Sequence, residues 1–434
     1  MENNNLQPQS VSSGKTILGL NVELIWGLVG VLFFIVGDGL EQAWISPFLI
    51  EKGMVIEETA TLISIYGIAV AVGAWFSGVL AEAWGPRKTM LAGAILWIVG
   101  QLLFLLVALP TMSFTIMIPT YCVRGFGYPL FCYSYLVWIT YKNNPKTLAT
   151  AVGWFFVAFT GGLYVVSNLF ASFMMPIIGS VGLLWSALVW VLIGVTIIIL
   201  TVRGTIHGNI GAKEQFKILL SGITIIKKNP RVGVGGLVRL INGTSQFAMP
   251  VFYPLFLSQY GISTEQWLQI WALVFFVNIF FNIIWGIVGD KIGWGKAVQI
   301  FGGFGCGSIL LLMAFAPPFF NGNFAAMMIV GALYGAFIAG FAPLTALVPS
   351  LEPTYKGATI TMINLGAGLS SFVGPLVVAI GINKLGAQGI LIFFTCFYYF
   401  SILLMNYVKK PEVERRKAQK KAELNGTPVV ETEL

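Results

Sequence analysis

Long apolar stretches alternate with short polar interruptions along the whole chain, and twelve of these stretches can be counted. They fall at 22–50, 58–82, 88–110, 113–140, 146–175, 180–202, 232–260, 265–290, 295–318, 323–350, 356–383 and 386–408. At roughly twenty residues or more, each is long enough to cross about 30 Å of hydrocarbon as a helix. The runs are continuous, whereas barrel strands are short and alternate apolar with polar positions. The pattern therefore predicts an all-α membrane protein with transmembrane helices 1 to 12. The expected organisation is a polar tail (1–21), a six-helix bundle (22–202), a linker (203–231), a second six-helix bundle (232–408) and a basic tail (409–434).

Composition agrees: 57% of residues are hydrophobic and 10% charged, where a soluble domain carries about 25% charged residues. The first twenty residues are polar and lack the apolar core of a signal peptide, which predicts a cytoplasmic N-terminus. Of 25 Lys and Arg residues, all but Lys52, Lys384, Arg124 and Arg239 then fall on the cytoplasmic side. That bias predicts a plasma (inner) membrane protein with both termini inside. Membrane orientation thus accounts for the net charge of +8 without a nucleic-acid partner, and the basic tail is placed to touch anionic lipid. In the linker, Phe216, Leu219, Leu220, Ile223 and Ile226 fall at helical spacing between lysines and predict an amphipathic helix on the inner membrane surface.

Cys122, Cys132, Cys306 and Cys396 lie inside predicted helices without CxxC spacing, and His207 sits in the linker away from any acid or nucleophile pattern. No metal, cofactor or enzymatic site is expected. A membrane enzyme or sensor would need a catalytic cluster, a metal site or an output domain, and the sequence offers none. No extra dimerisation segment appears, so a functional monomer is expected.

The segment after helix 2 carries Gly78, Glu82, Gly85, Arg87 and Lys88, and the segment after helix 8 carries Gly286, Asp290, Lys291, Gly293 and Lys296. Both read G-x3-[acid]-x2-G-x2-K, and the pairs Gly78/Gly286, Glu82/Asp290, Gly85/Gly293 and Lys88/Lys296 are each 208 positions apart. This is an internal duplication. Glycines at these places are expected to let helices approach around a tight turn, while the acid bonds helix N-termini or basic groups and latches one conformation. On these residues the chain resembles the major facilitator superfamily. The resemblance implies two six-helix bundles rocking about a central cavity near the bilayer midplane. Glu82 stands where the family usually has Asp, and Ala83 where a basic residue is common, which implies a weaker first latch.

Four ionisable residues lie well inside helices: Asp38 and Glu41 in helix 1, Arg124 in helix 4 and Arg239 in helix 7. Left unpaired, each costs on the order of 3 kcal/mol. Asp38 and Glu41 are three apart and share a helix face, and Arg124 lies at the depth of Asp38, which makes the two natural partners. An aspartate whose arginine withdraws takes up a proton. Asp38, Arg124 and Glu41 are therefore the candidate proton-coupling residues, with a static ion pair as the alternative. Arg124 opens RGFGYP, which is similar to the family's helix 4 motif, where the arginine is linked to proton transfer in symporters. Glu41 and Arg239 are expected either to pair across the halves or to bond substrate.

Amides, aromatics and hydroxyls gather on the helices expected around the cavity. The candidate substrate-binding residues are Gln42, Tyr128, Trp154, Arg239, Asn242, Gln246, Trp271 and Asn364. Such groups suit a neutral, hydroxyl-rich solute, because each buried hydroxyl left unpaired costs about 1–3 kcal/mol. The segments GDGLEQAWIS (37–46), RGFGYPLFCYSYLVW (124–138), VRLIN (238–242), QWLQIWA (266–272) and LEPTYKGATITMINLGAGLSS (351–371) are similar to bacterial polyol permeases, above all ribitol and D-arabinitol transporters. That likeness implies uptake of a pentitol with a proton. The alternatives are a facilitator, or a proton antiporter for another small neutral solute or drug. Against the antiporter, GWFFVAFTGGLYV in helix 5 lacks the Gly-Pro antiporter motif.

Overall fold

A computed structural model describes residues 16–17, 19–144, 147–202, 220 and 224–414 of the chain. Helix 1 comprises Val22–Gly39 and Ile45–Glu51; helix 2 is Ile56–Trp84, helix 3 Pro86–Thr111, and helix 4 comprises Phe114–Gly125 and Gly127–Lys142. Helices 5 and 6 share the run Thr150–Thr201. In the second half, helix 7 is Pro230–Ser258, helix 8 Thr264–Ile292, helix 9 Trp294–Phe319 and helix 10 Phe324–Ser350, and helices 11 and 12 share Gly357–Val408.

The two shared runs are 52 residues each. A straight helix of that length would extend about 78 Å, far beyond a bilayer. Each is broken by a glycine in a conformation that side-chain-bearing residues resist: Gly179 at φ 70°, ψ 170° and Gly386 at φ 65°, ψ 177°. The breaks divide each run into two crossings and complete the twelve.

The duplication extends well beyond the two short motifs. Helices 2 and 8 begin at Ile56 and Thr264 and end at Trp84 and Ile292, again 208 positions apart. Helices 1 and 7 begin in the same register, at Val22 and Pro230. Gly85 and Gly293 adopt matching left-handed conformations, at φ 90° and φ 106°, and turn the chain into helices 3 and 9.

Large apolar side chains face outward around the bundle. Phe173, Ile177, Ile283, Ile329, Ile380 and Leu403 are between 63% and 71% exposed, which suits lipid and would be a liability in water. Helices 1 and 4, expected as unbroken, are each interrupted beside a buried charge: helix 1 at 40–44, after Asp38, and helix 4 at Phe126, after Arg124. Non-helical backbone at membrane depth is tolerated where protein surrounds it. Here the freed geometry lets Arg124 Nη2 donate to the Asp38 carbonyl at 3.3 Å.

Contacts between the halves gather on the side away from the termini. Ser46 Oγ donates to the Val251 carbonyl at 2.7 Å, and Trp267 Nε1 to the Ala43 carbonyl at 2.8 Å. Ser64 Oγ donates to the Phe372 carbonyl at 2.6 Å, Ser371 Oγ to the Gly67 carbonyl at 3.1 Å, and Gln269 Nε2 to Ser172 Oγ at 3.0 Å. On the side of the termini, the Cβ positions of Gly78 and Gly286 meet no atom within 4 Å. The close helix approach expected at these two glycines is therefore absent.

Within the second half, the segment after helix 12 straps helix 9. Glu412 accepts the backbone N–H of Trp294 at 2.6 Å and of Gly295 at 2.9 Å, while Asp290 accepts from Trp294 Nε1 at 2.7 Å. A carboxylate at a helix N-terminus satisfies donors the helix leaves open and opposes its dipole. In the first half, Arg87 Nη2 instead donates to the Ile199 carbonyl at 3.0 Å, tying the loop to helix 6. Lys88, Lys291 and Lys296 are exposed. The side chain of Glu82, most of the linker with its expected amphipathic helix, His207, and the tail beyond 414 lie outside the described residues.

Candidate functional site

Helix 1 ends its first segment with Asp38 at 0% exposure, and Glu41 follows at 1%. Arg124, also 1% exposed, reaches them from helix 4. Close packing of helix 3 makes this possible: a Cβ on Gly100 would lie 2.6 Å from the Arg124 backbone nitrogen, so a larger residue would push the helices apart.

The sequence pairs Arg124 with Asp38, but the guanidinium sits closer to Glu41. Its Nη1 bonds Glu41 Oε1, whereas its Nη2 lies 3.7 Å from Asp38 Oδ1. Both Asp38 oxygens are already occupied: Trp97 Nε1 donates to Oδ1 at 2.7 Å and Gln42 Nε2 to Oδ2 at 2.9 Å. Glu41 has the extra methylene needed to meet the guanidinium, and Tyr121 Oη donates to the same Oε1. The cation is also flanked by rings, with its Cζ 4.9 Å from the Trp97 centroid and 5.4 Å from that of Tyr121. Glu41 Oε2 is buried and has no hydrogen-bond partner. The site thus sets two carboxylates against one guanidinium.

Sequence reading missed Trp97 and Tyr121. Tyr121 stands three residues before Arg124, on the same face of helix 4, and that spacing was a usable signal. Trp97 is an uncharged residue in an apolar helix, and nothing in the sequence distinguishes it from its neighbours.

The expected pairing of Arg239 with Glu41 does not occur, since Arg124 occupies Glu41. Arg239 Nη1 instead bonds Asn242 Oδ1, three residues along helix 7. Among the described residues no carboxylate pairs with Arg239, and its Nε is buried without a partner. Asn242 is fixed in turn, donating to the Ile338 carbonyl at 3.2 Å and accepting at its own carbonyl from Tyr398 Oη at 2.6 Å.

Gln246 Nε2 donates to Tyr164 Oη at 3.0 Å, and the Tyr164 ring stacks on Phe275 at 3.8 Å, joining the two halves at mid-membrane. In the register of the duplication Gln246 occupies the place of Asp38. The second half therefore presents a neutral amide where the first presents an acid. Tyr128 lies 6.1 Å from Phe159, ring to ring. Trp271, expected at the substrate, is 1% exposed and packed in a column with Trp267 at 4.9 Å and Tyr334 at 6.2 Å. Trp154 and Asn364 are exposed.

The chain matches the Major Facilitator Superfamily over residues 26–351 and 272–433. It is 43% identical to the alpha-ketoglutarate permease of Bacillus subtilis (strain 168), over 90% of this chain and 90% of that protein. It is 36% identical to the D-arabinitol transporter of Klebsiella pneumoniae, over 92% of this chain and 95% of that one. Its fold superposes on a mutant of the nucleoside transporter NupG with a TM-score of 0.69 at 14% identity, covering 90% of this chain and 100% of the other. With its duplicated six-helix halves and these relatives, the chain belongs to the Major Facilitator Superfamily and is related to polyol and alpha-ketoglutarate permeases.

Proposed function

We propose that this protein takes up a pentitol, ribitol or D-arabinitol, together with a proton, by alternating access in the plasma membrane, with both termini in the cytoplasm. The observation that carries the reading is the buried excess of acid over base at the break in helix 1. Two carboxylates and one guanidinium in a medium that penalises net charge favour the binding of one proton. A proton crossing 100 mV releases about 2.3 kcal/mol, and tenfold accumulation requires about 1.4. Roughly fiftyfold concentration of a neutral solute follows. With the termini inside, seams closed on the opposite side make this the inward-facing state, from which solute and proton leave. Polar groups from both halves, Gln42 and Tyr128 from one and Asn242 and Gln246 from the other, supply donors and acceptors for a polyol's hydroxyls.

A second reading is favoured by one observation. Arg239 lacks a carboxylate partner among the described residues, and a guanidinium in that position suits the carboxylate of an oxo-dicarboxylate such as alpha-ketoglutarate. Exchange of labelled pentitols, hexitols and alpha-ketoglutarate in liposomes containing the purified protein separates the two. Exchange of a pentitol, unaffected by excess alpha-ketoglutarate, is the expected result. Exchange of alpha-ketoglutarate alone, lost in Arg239→Gln, would establish the second reading instead.

A further inference from the structure

We infer that Tyr398, on helix 12, is a positioning residue for solute recognition: with Ser245 and Tyr334 it fixes Asn242, and Asn242 holds the Arg239 guanidinium that meets two neighbouring solute oxygens. The inference rests on the uptake reading above. Its basis is the direction of three hydrogen bonds. Tyr398 Oη donates to the Asn242 backbone carbonyl at 2.6 Å. A phenol has a single hydrogen, so Ser245 Oγ is the donor in its 2.6 Å contact with Tyr398. The serine hydrogen is then committed, and Tyr334 Oη donates to Ser245 at 2.7 Å. One direction satisfies all three bonds, from Tyr334 through Ser245 and Tyr398 to Asn242. Tyr334, Ser245 and Tyr398 are each 0% exposed, so water cannot replace a link, and aligned buried bonds strengthen one another.

The chain of hydroxyls ends at a residue whose side-chain amide is fixed as well. Asn242 Nδ2 donates to the Ile338 carbonyl at 3.2 Å, and its Oδ1 accepts from Arg239 Nη1. The Ile338 carbonyl is available because helix 10 tightens into a 3-10 turn at Ala339–Phe341, where the Ala342 N–H bonds Ala339 instead. Phe341 of the same turn packs edge-on against the Tyr398 ring at 5.7 Å. Helices 10 and 12 thus grip helix 7 at Asn242, about one turn from Arg239. Held by a neutral amide, and with no carboxylate paired to it among the described residues, the guanidinium keeps its charge for vicinal hydroxyls or a carboxylate of the solute.

The fold itself does not require these hydroxyls. In the register of the duplication Ser245 occupies the place of Gly37, 208 positions earlier. Tyr398 stands twelve residues after the helix break at Gly386, and Val191 twelve after the corresponding break at Gly179. Gly37 and Val191 pack directly on each other, since a Cβ on Gly37 would lie 2.7 Å from Val191 Cγ2. The first half therefore makes the same helix contact without a polar side-chain atom. Burying hydroxyls costs free energy unless each finds a partner, and the second half carries such a set and directs it to Asn242.

The test uses full-length protein in liposomes and measures the KM and maximal rate of exchange for labelled ribitol and D-arabinitol. Tyr398→Phe keeps the ring against Phe341 and removes the last link. Its KM is expected to rise about tenfold with the maximal rate within about twofold of the parent, and Ser245→Ala to raise KM about threefold. Both changes are then repeated in Asn242→Ala, where the backbone carbonyl still accepts from Tyr398 but no amide reaches Arg239. There neither is expected to raise KM further, whereas a bond that merely ties helix 7 to helix 12 would act equally in both backgrounds. Equal KM increases in the two backgrounds overturn the inference, as does an unchanged KM in Tyr398→Phe and Ser245→Ala; if Tyr398→Phe does not fold, Ser245→Ala decides. A parent that exchanges alpha-ketoglutarate and neither pentitol overturns the uptake reading alone, and the same KM ratios measured with labelled alpha-ketoglutarate then decide the role of Tyr398.

Discussion

Arg124→Gln is expected to abolish uphill transport, lowering initial uptake by more than about a hundredfold, and to destabilise the protein by roughly 3–5 kcal/mol. The substitution leaves Asp38 and Glu41 facing each other in a water-poor site without their shared cation. Arg124→Lys is expected to recover little, because an ammonium cannot reach two carboxylates from one planar fork while packed between Trp97 and Tyr121. The geometry makes a sharper prediction about the partner. If Glu41 is the principal counter-ion, removing both charges in Glu41→Gln/Arg124→Gln restores about 1–3 kcal/mol relative to Arg124→Gln alone. Asp38→Asn/Arg124→Gln should restore less, since Asp38 retains its bonds from Trp97 and Gln42. Thermal unfolding of the purified variants in detergent gives the comparison, and a larger rescue by Asp38→Asn would argue against the observed pairing.

Gly67→Val is expected to reduce transport to a few per cent of the parent while leaving the protein folded. A Cβ at this position would run into the Ser371 carbonyl oxygen, across the seam between helices 2 and 11. Backbone must move to admit it. The same displacement breaks the bonds from Ser64 to Phe372 and from Ser371 to Gly67, each contributing about 1 kcal/mol. Neither half loses an internal contact of comparable size, so the strain falls on the closure between them. A bias of about 2.7 kcal/mol changes a two-state ratio a hundredfold. Spin labels at the ends of helices 2 and 11 away from the termini should show a longer distance in the variant. An unchanged distance with full transport would remove the closed seam from the transport cycle.

Much of the fold could be read from the sequence because the membrane imposes few solutions. Apolar runs of spanning length become helices when no water is present to satisfy the backbone, and the motif spacing between Gly78 and Gly286 is reproduced by whole helices in the structure. The charges of the site were equally legible, since Asp38, Glu41, Arg124 and Arg239 are costly in lipid and stand out from their surroundings. Their pairing was legible in part: Arg124 forms the expected ion pair with Asp38 at 3.7 Å, but its nearer bond is to Glu41. Which acid receives Arg124 depends on Trp97, an uncharged residue on a third helix, and on a break in helix 1 whose sequence, Leu40 to Trp44, contains no proline. Depth along a helix treats Asp38 and Glu41 as nearly equivalent. Trp271 shows the same limitation: mid-helix position suggested the cavity, but rotation about the helix axis turns it into an aromatic column. At Gly78 and Gly286 the expected close packing is not seen, since a Cβ at either position would meet no atom within 4 Å.

If the buried acid–base cluster couples a proton to solute, a proton gradient alone should drive accumulation of a pentitol. Purified protein in liposomes, supplied with labelled ribitol or D-arabinitol and an imposed pH gradient, addresses this without other cellular components. Internal label is expected to rise about tenfold above the external level for a one-unit gradient, then to collapse when a protonophore is added. Label that equilibrates to the external level and goes no higher, with or without the gradient, would rule out proton-driven pentitol uptake.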